Sequence, residues 1–133
     1  MQIIALINQK GGVGKTTCAI NIGAGLNKLR KRVLLIDLDP QAHLTYSLGI
    51  PAHELNNTVY ELLKGTVTLK ETIIERNGLS LVPSSLNLSG AEIEFSGLAG
   101  REFLLKETVE GLKNFDYVFI DCPPSLGLLT LNA

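Results

Sequence analysis

Five apolar residues in a row, Ile3 to Ile7, open the chain and give way to Asn8, Gln9 and Lys10 and then to Gly11, Gly12 and Gly14. A continuous apolar run of that length predicts a strand covered on both faces, as in a parallel sheet, ending in a glycine-rich turn. Ala19, Ile22, Leu26 and Leu29 then recur three or four apart, which puts them on one face of a helix of about four turns. Lys28, Arg30, Lys31 and Arg32 read as its last turn, where cations offset the negative end of the helix dipole. Val33 to Ile36 is a second short apolar run that closes at Asp37, and Pro40 prevents its continuation. Parallel strands need a crossover of this kind, so the pattern predicts the opening βαβ unit of an α/β sheet, right-handed.

Further along, Thr58 with Glu61 and Thr68 with Glu71 have the spacing of capping boxes, which predicts two short helices between about 58 and 75. Leu79, Leu81 and Val82 form a short strand stopped by Pro83. Between Ala91 and Leu112, apolar positions at Phe95, Leu98, Phe103, Leu104 and Val109 alternate with five glutamates. This predicts an exposed amphipathic helical region, two helices divided near Gly97 and Gly100. Tyr117 to Ile120 is the last strand, ending at Asp121 ahead of Pro123 and Pro124; Leu126, Leu128, Leu129 and Leu131 then begin a helix in which the chain stops. The fold class expected is α/β, a parallel sheet flanked by helices.

Composition narrows the functions this fold could serve. The 133 residues, 45% apolar and 19% charged, suffice for one folded domain and are too apolar for a disordered chain. The net charge of -1 offers no general attraction for a polyanion. Charge is unevenly placed, however: residues 1 to 40 carry +4 and the remainder -5. No run reaches the roughly 20 apolar residues that cross a bilayer, and Met1 leads directly into the first strand without a basic and apolar leader, so no membrane partner and a cytoplasmic location are expected. Cys18 and Cys122 are too few and too far apart for a disulfide framework or metal site, and read as buried free thiols. His43 and His53 have no second ligand at useful spacing and read as surface or switch-loop residues. Ser84, Ser85 and Ser89 have no neighbouring base to make a nucleophile.

The chemistry lies in Lys10-Gly11-Gly12-Val13-Gly14-Lys15-Thr16-Thr17, between the first strand and helix. Glycines let the backbone wrap an anion, and the free amides at a helix start point at it with the positive dipole end behind them. Lys15 would reach the β- and γ-phosphates, and the Thr16 hydroxyl would ligate Mg²⁺. The loop is a P-loop variant, with Gln9 where the standard pattern has glycine and Lys10 as an added lysine. Asp121, at the end of a strand, stands where a Walker B carboxylate would hold a water of the Mg²⁺ shell. Asp37 and Asp39 lie two apart, so if strand geometry persists they share a face and one pocket receives both.

KGGVGKTT resembles the deviant Walker A loop of the ParA/MinD group of ATPases. Val33 to Gln41 (VLLIDLDPQ) and Tyr117 to Gly127 (YVFIDCPPSLG) resemble the same group in the same order, in the form typical of its ParA/Soj partition branch. The resemblance implies a P-loop ATPase domain over residues 1–133, truncated at its C-terminus, because such proteins are about twice this long and carry much of their sheet and their DNA-contacting residues beyond a point matching Ala133. It implies ATP and Mg²⁺ as cofactors, and a metal set of Thr16, Asp121 and, in an assisting role, Asp37, for which a turn-capping role is the alternative. It also implies that Asp39 orients the attacking water and that Lys10 crosses to the phosphates of a second subunit, a solvated loop lysine being the alternative.

The function implied is a slow ATPase, stimulated by a partner, that acts as an ATP-dependent homodimer in chromosome or plasmid partition. A centromere-binding ParB-like protein, nonspecific DNA and a nucleoid-associated location complete that picture. The competing reading is a small-molecule ligase of the same superfamily, dethiobiotin-synthetase-like or cobyrinic-acid-amidase-like, which shares the loop. A nitrogenase-reductase-like cluster protein is disfavoured because neither cysteine is placed to hold an iron–sulfur cluster.

Overall fold

Val33–Asp37 becomes strand β2, and its neighbours explain its composition. It pairs in parallel with β5 (Tyr117–Asp121) on one side and β4 (Leu79–Val82) on the other, and all five of its residues are buried. A central strand with helices over both faces leaves no place for an exposed polar side chain. The computed structural model describes residues 1–133. The full sheet runs β1-β5-β2-β4-β3, with β1 at Gln2–Leu6 and β3 at Ile74–Arg76.

Alternate residues of the strands feed two cores. Leu35, Leu81 and Phe119 face α1 (Lys15–Lys28) and α2 (His43–Ser47), together with Ala19 and Leu44. Ile36, Val82, Val118 and Ile120 face the opposite layer. That layer is made by α3 (Val59–Leu63), α5 (Ala91–Glu94), α6 (Leu104–Val109) and α7 (Leu128–Asn132), α4 being the single turn Leu69–Thr72. Helix α1 lies close on β2: a Cβ at Gly23 would stand 3.2 Å from Leu35 Cδ2. No helix is long and apolar enough to cross a membrane.

Both predicted capping boxes form. Thr58 N–H donates to Glu61 Oε2 at 2.9 Å and Thr68 N–H to Glu71 Oε2 at 2.8 Å, starting α3 and α4.

Four expectations are corrected. The first strand is not covered on both faces: β1 pairs only with β5, and Ile3 is 45% exposed at the sheet edge. The first helix ends at Lys28, so Arg30, Lys31 and Arg32 lie beyond its last turn. Arg30 takes a left-handed conformation (φ 60), while its N–H bonds Asn27 O and that of Lys31 bonds Leu26 O. That is a Schellman stop, made here without glycine. Arg32 instead bridges to Asp116 at 3.0 Å and holds its carboxyl down at about 2.

The third correction concerns Cys18, which lies exposed on α1; only Cys122 is buried. Fourth, the helical region from 91 to 112 is divided near Gly97 and Gly100 as expected, but into the single turn of α5 and, after a 3-10 turn at Arg101–Phe103, the short α6. Gly100 itself is left-handed (φ 73). Strand β3 was not anticipated. It is antiparallel to β4 through the two-residue turn Asn77-Gly78, both at positive φ, and an Asn-Gly pair is the usual sequence signal for such a hairpin.

Candidate nucleotide site

Register places the ends of three parallel strands at one level: Leu6 of β1 pairs with Asp121 of β5, which pairs with Asp37 of β2. Ligands of α/β sheets gather outside such carboxyl ends. The chain leaving β1 turns through Gly12 (φ 70) and Gly14 (φ 96) before α1 begins at Lys15. Both values lie in the left-handed region that favours glycine. No side chain caps α1, so the amides of its first turn are left to face an anion.

A cavity of about 470 Å³ opens there, walled on one side by the loop from Gly11 to Thr17 and on the other by Asp39, Gln41, His43 and Ser47. The Lys15 ammonium arches back over the loop, 3.0 Å from Asn8 O and 3.5 Å from Lys10 O. Lys10 is exposed at the head of the loop and does not line the cavity; its backbone N–H is fixed by Asn8 Oδ1 at 2.9 Å.

The Thr16 hydroxyl donates to Asp121 Oδ2 at 2.5 Å. Asp121 Oδ1 is buried with no hydrogen-bond partner, and burial raises the Asp121 carboxyl above its ordinary range despite the Thr16 bond. An unpaired carboxylate oxygen beside a hydroxyl is a hard, oxygen-only donor set. The chain holds no cluster of three or more His, Cys, Asp or Glu side chains suited to a metal. Two protein oxygens with room for waters and phosphate suit Mg²⁺, which keeps several waters and rarely takes an all-protein cage.

Asp37 and Asp39 do not share a face. Strand geometry stops at Asp37, and the chain turns, so the two side chains separate. Asp39 lines the cavity, with its Oδ1 accepting Gln41 N–H at 2.9 Å. Asp37 is fully buried and accepts the Thr45 hydroxyl at 2.6 Å and Thr45 N–H at 2.9 Å. Burial outweighs those bonds and lifts its carboxyl to about 7.

Of the residues picked from the sequence, the structure gathers Gly11 to Thr17 and Asp39 around the cavity, and joins Asp121 to it through Thr16. His53 lies elsewhere, exposed and paired with Glu54 at 3.7 Å. Sequence reasoning missed Ser47, Cys122 and Asn8 as parts of the site and left His43 without a role. Cys122 follows Asp121 directly and could have been found from that adjacency; Ser47 carries no local signal, since only the fold of α2 brings it to the wall.

A glycine loop joining a parallel strand to a helix, with its lysine and threonine beside carboxylates at neighbouring strand ends, defines the P-loop nucleotide-binding class. The chain belongs to the AAA domain family, whose model matches residues 1–133. It is 48% identical over 137 aligned positions to the sporulation initiation inhibitor protein Soj of Bacillus subtilis, covering 99% of this chain and 53% of that protein. Among solved structures, it is similar to cobyrinic acid a,c-diamide synthase from Mycobacterium smegmatis with bound ATP analog and magnesium. The TM-score is 0.97 at 47% identity, over 99% of this chain and 55% of the other. A putative plasmid partition protein from Borrelia burgdorferi bound to AMPPNP matches with a TM-score of 0.90 at 38% identity, over 99% and 56%. The chain spans about half the length of the curated relatives it matches.

Proposed function

We propose that this protein binds and slowly hydrolyses Mg²⁺-ATP, and that the nucleotide switches it between monomer and homodimer in chromosome or plasmid partition. The observation that carries the reading is the cavity that sets the phosphate loop opposite Asp39. Loop amides and Lys15 hold the β- and γ-phosphates, Thr16 and Asp121 hold the metal and its water, and Asp39 orients the attacking water. Mg²⁺ held there would supply charge neutralisation on the phosphate oxygens. Lys10, exposed and off the cavity wall, is free to reach the phosphates of a second subunit. Loss of the γ-phosphate removes that contact and releases the dimer. A ParB-like stimulator, nonspecific DNA and a nucleoid-associated cytoplasmic location belong to the same proposal, supported by the likeness to chromosome and plasmid partition proteins.

A second reading, transfer of phosphate to a small carboxylate substrate, is favoured by the likeness to the Mycobacterium smegmatis synthase. Light scattering separates the two. Dimer with Mg²⁺-ATP, monomer with Mg²⁺-ADP, and a persistent dimer for Asp39→Ala with ATP are expected of the switch. A monomer under every condition, with ATP consumed only when a carboxylate acceptor is added, would replace it with the ligase.

A further inference from the structure

Behind the cavity wall, the buried polar groups form one connected chain. Asp37 Oδ2 accepts both the N–H and the hydroxyl of Thr45, at 2.9 and 2.6 Å, while Asp37 Oδ1 accepts Asp39 N–H at 3.2 Å. Thr45 Oγ1 in turn accepts Ser84 N–H, just beyond β4, at 3.0 Å. Asp37, Thr45 and Ser84 are all 0% exposed. One carboxylate thus closes the segment from 37 to 45 on itself, and the hydroxyl at its far end is tied to the neighbouring strand. Asp39, Gln41 and His43, which line the cavity, lie between the two ends of this closure. Inside it, Ala42 N–H bonds Asp39 O at 2.9 Å, with Ala42 in a left-handed conformation (φ 55).

Stability alone does not account for this arrangement. Burying a carboxylate is costly, and an apolar pair filling the same volume would serve a core as well or better. What the carboxylate and hydroxyl add is direction, because each hydrogen bond fixes an angle as well as a distance. Both oxygens of Asp37 accept donors of this chain, and those bonds shape the loop. We propose that Thr45 is a positioning residue for hydrolysis: with Asp37 it clasps the 37–45 segment so that Asp39 faces the terminal phosphate held by the loop. The catalytic half of the inference rests on the function proposed above, whereas the clasp itself does not.

Two measurements test it. In the wild-type protein without nucleotide, the amides of Thr45 and Ser84 should exchange with deuterium as slowly as those of β2. Exchange at the rate of an open loop would mean that no clasp exists, whatever the protein does with ATP. Then Thr45→Val, which keeps the shape and removes the hydroxyl, is compared with Thr45→Ser, which keeps the hydroxyl.

Thr45→Val should bind the analogue AMPPNP with Mg²⁺ within about threefold of wild type, since the phosphate loop is untouched. It should hydrolyse ATP at least about tenfold more slowly and exchange faster across 39–45, and Thr45→Ser should restore rate and protection. A wild-type rate for Thr45→Val, or a Thr45→Ser as slow as Thr45→Val, overturns the proposal. A Thr45→Val that fails to fold leaves the decision to the wild-type exchange and the Thr45→Ser rate. A wild-type protein that shows slow exchange but neither binds nor hydrolyses ATP would refute the functional reading and the positioning role with it, while leaving the clasp standing.

Discussion

Replacing Asp37 by asparagine removes the one fully buried carboxyl whose protonation lies near neutrality, and the structure sets the size of the effect. The carboxyl moves from 3.8 when unfolded to about 7 in the fold because burial outweighs three donated hydrogen bonds. An acid with a raised value binds its proton more tightly folded than unfolded. Its contribution therefore favours the fold at low pH and is lost as pH rises from 3.8 to about 7. Across the whole window this amounts to about 4 kcal/mol, and between about pH 5 and about pH 8 to roughly 2 to 3 kcal/mol.

Asparagine does not titrate, so the stability of Asp37→Asn relative to wild type should improve by roughly that smaller amount on going from about pH 5 to about pH 8. Urea unfolding at the two pH values, without nucleotide or magnesium, reads it as a change of about 1 to 2 M in the separation of the midpoints. A separation that stays constant would refute the reasoning. A change of opposite sign would mean that the three donors win over desolvation and hold Asp37 charged.

Two further expectations follow from burial. Cys18 is exposed, whereas Cys122 is 1% exposed with its thiol pushed up to about 12 by burial and by Asp121. A thiol reagent at about pH 8 should therefore modify one cysteine quickly and the second only on unfolding; two fast equivalents would contradict the placement. Leu81 is 0% exposed in the core between the sheet and α1, so Leu81→Ala should cost about 2 to 5 kcal/mol in denaturant unfolding, and a loss under about 1 kcal/mol would show that the site collapses around the missing atoms.

Much of the molecule was legible from residues close together in sequence. Gly12 and Gly14 meet a local steric demand at positive φ, and Thr58 with Glu61 or Thr68 with Glu71 satisfy each other's backbone within one turn. Apolar runs mark β2 and β5 because those strands are buried on both faces. The phosphate loop was readable for the same reason: its anion-binding groups are consecutive amides and side chains of a single segment.

What the sequence could not fix was anything that depends on partners far along the chain. Within residues 1–133, β1 hydrogen-bonds β5 alone, a pairing its apolar run does not announce. The spacing of Asp37 and Asp39 suggested one shared pocket, but the strand ends between them, and Thr45, itself held by Ser84 N–H, binds Asp37 away from the cavity. Local pattern determines which segments can be strands, turns and helices, since those choices are settled within a few residues. Strand order, burial and the direction of a buried carboxylate are settled by hydrogen bonds and packing between segments that meet only when the chain has folded.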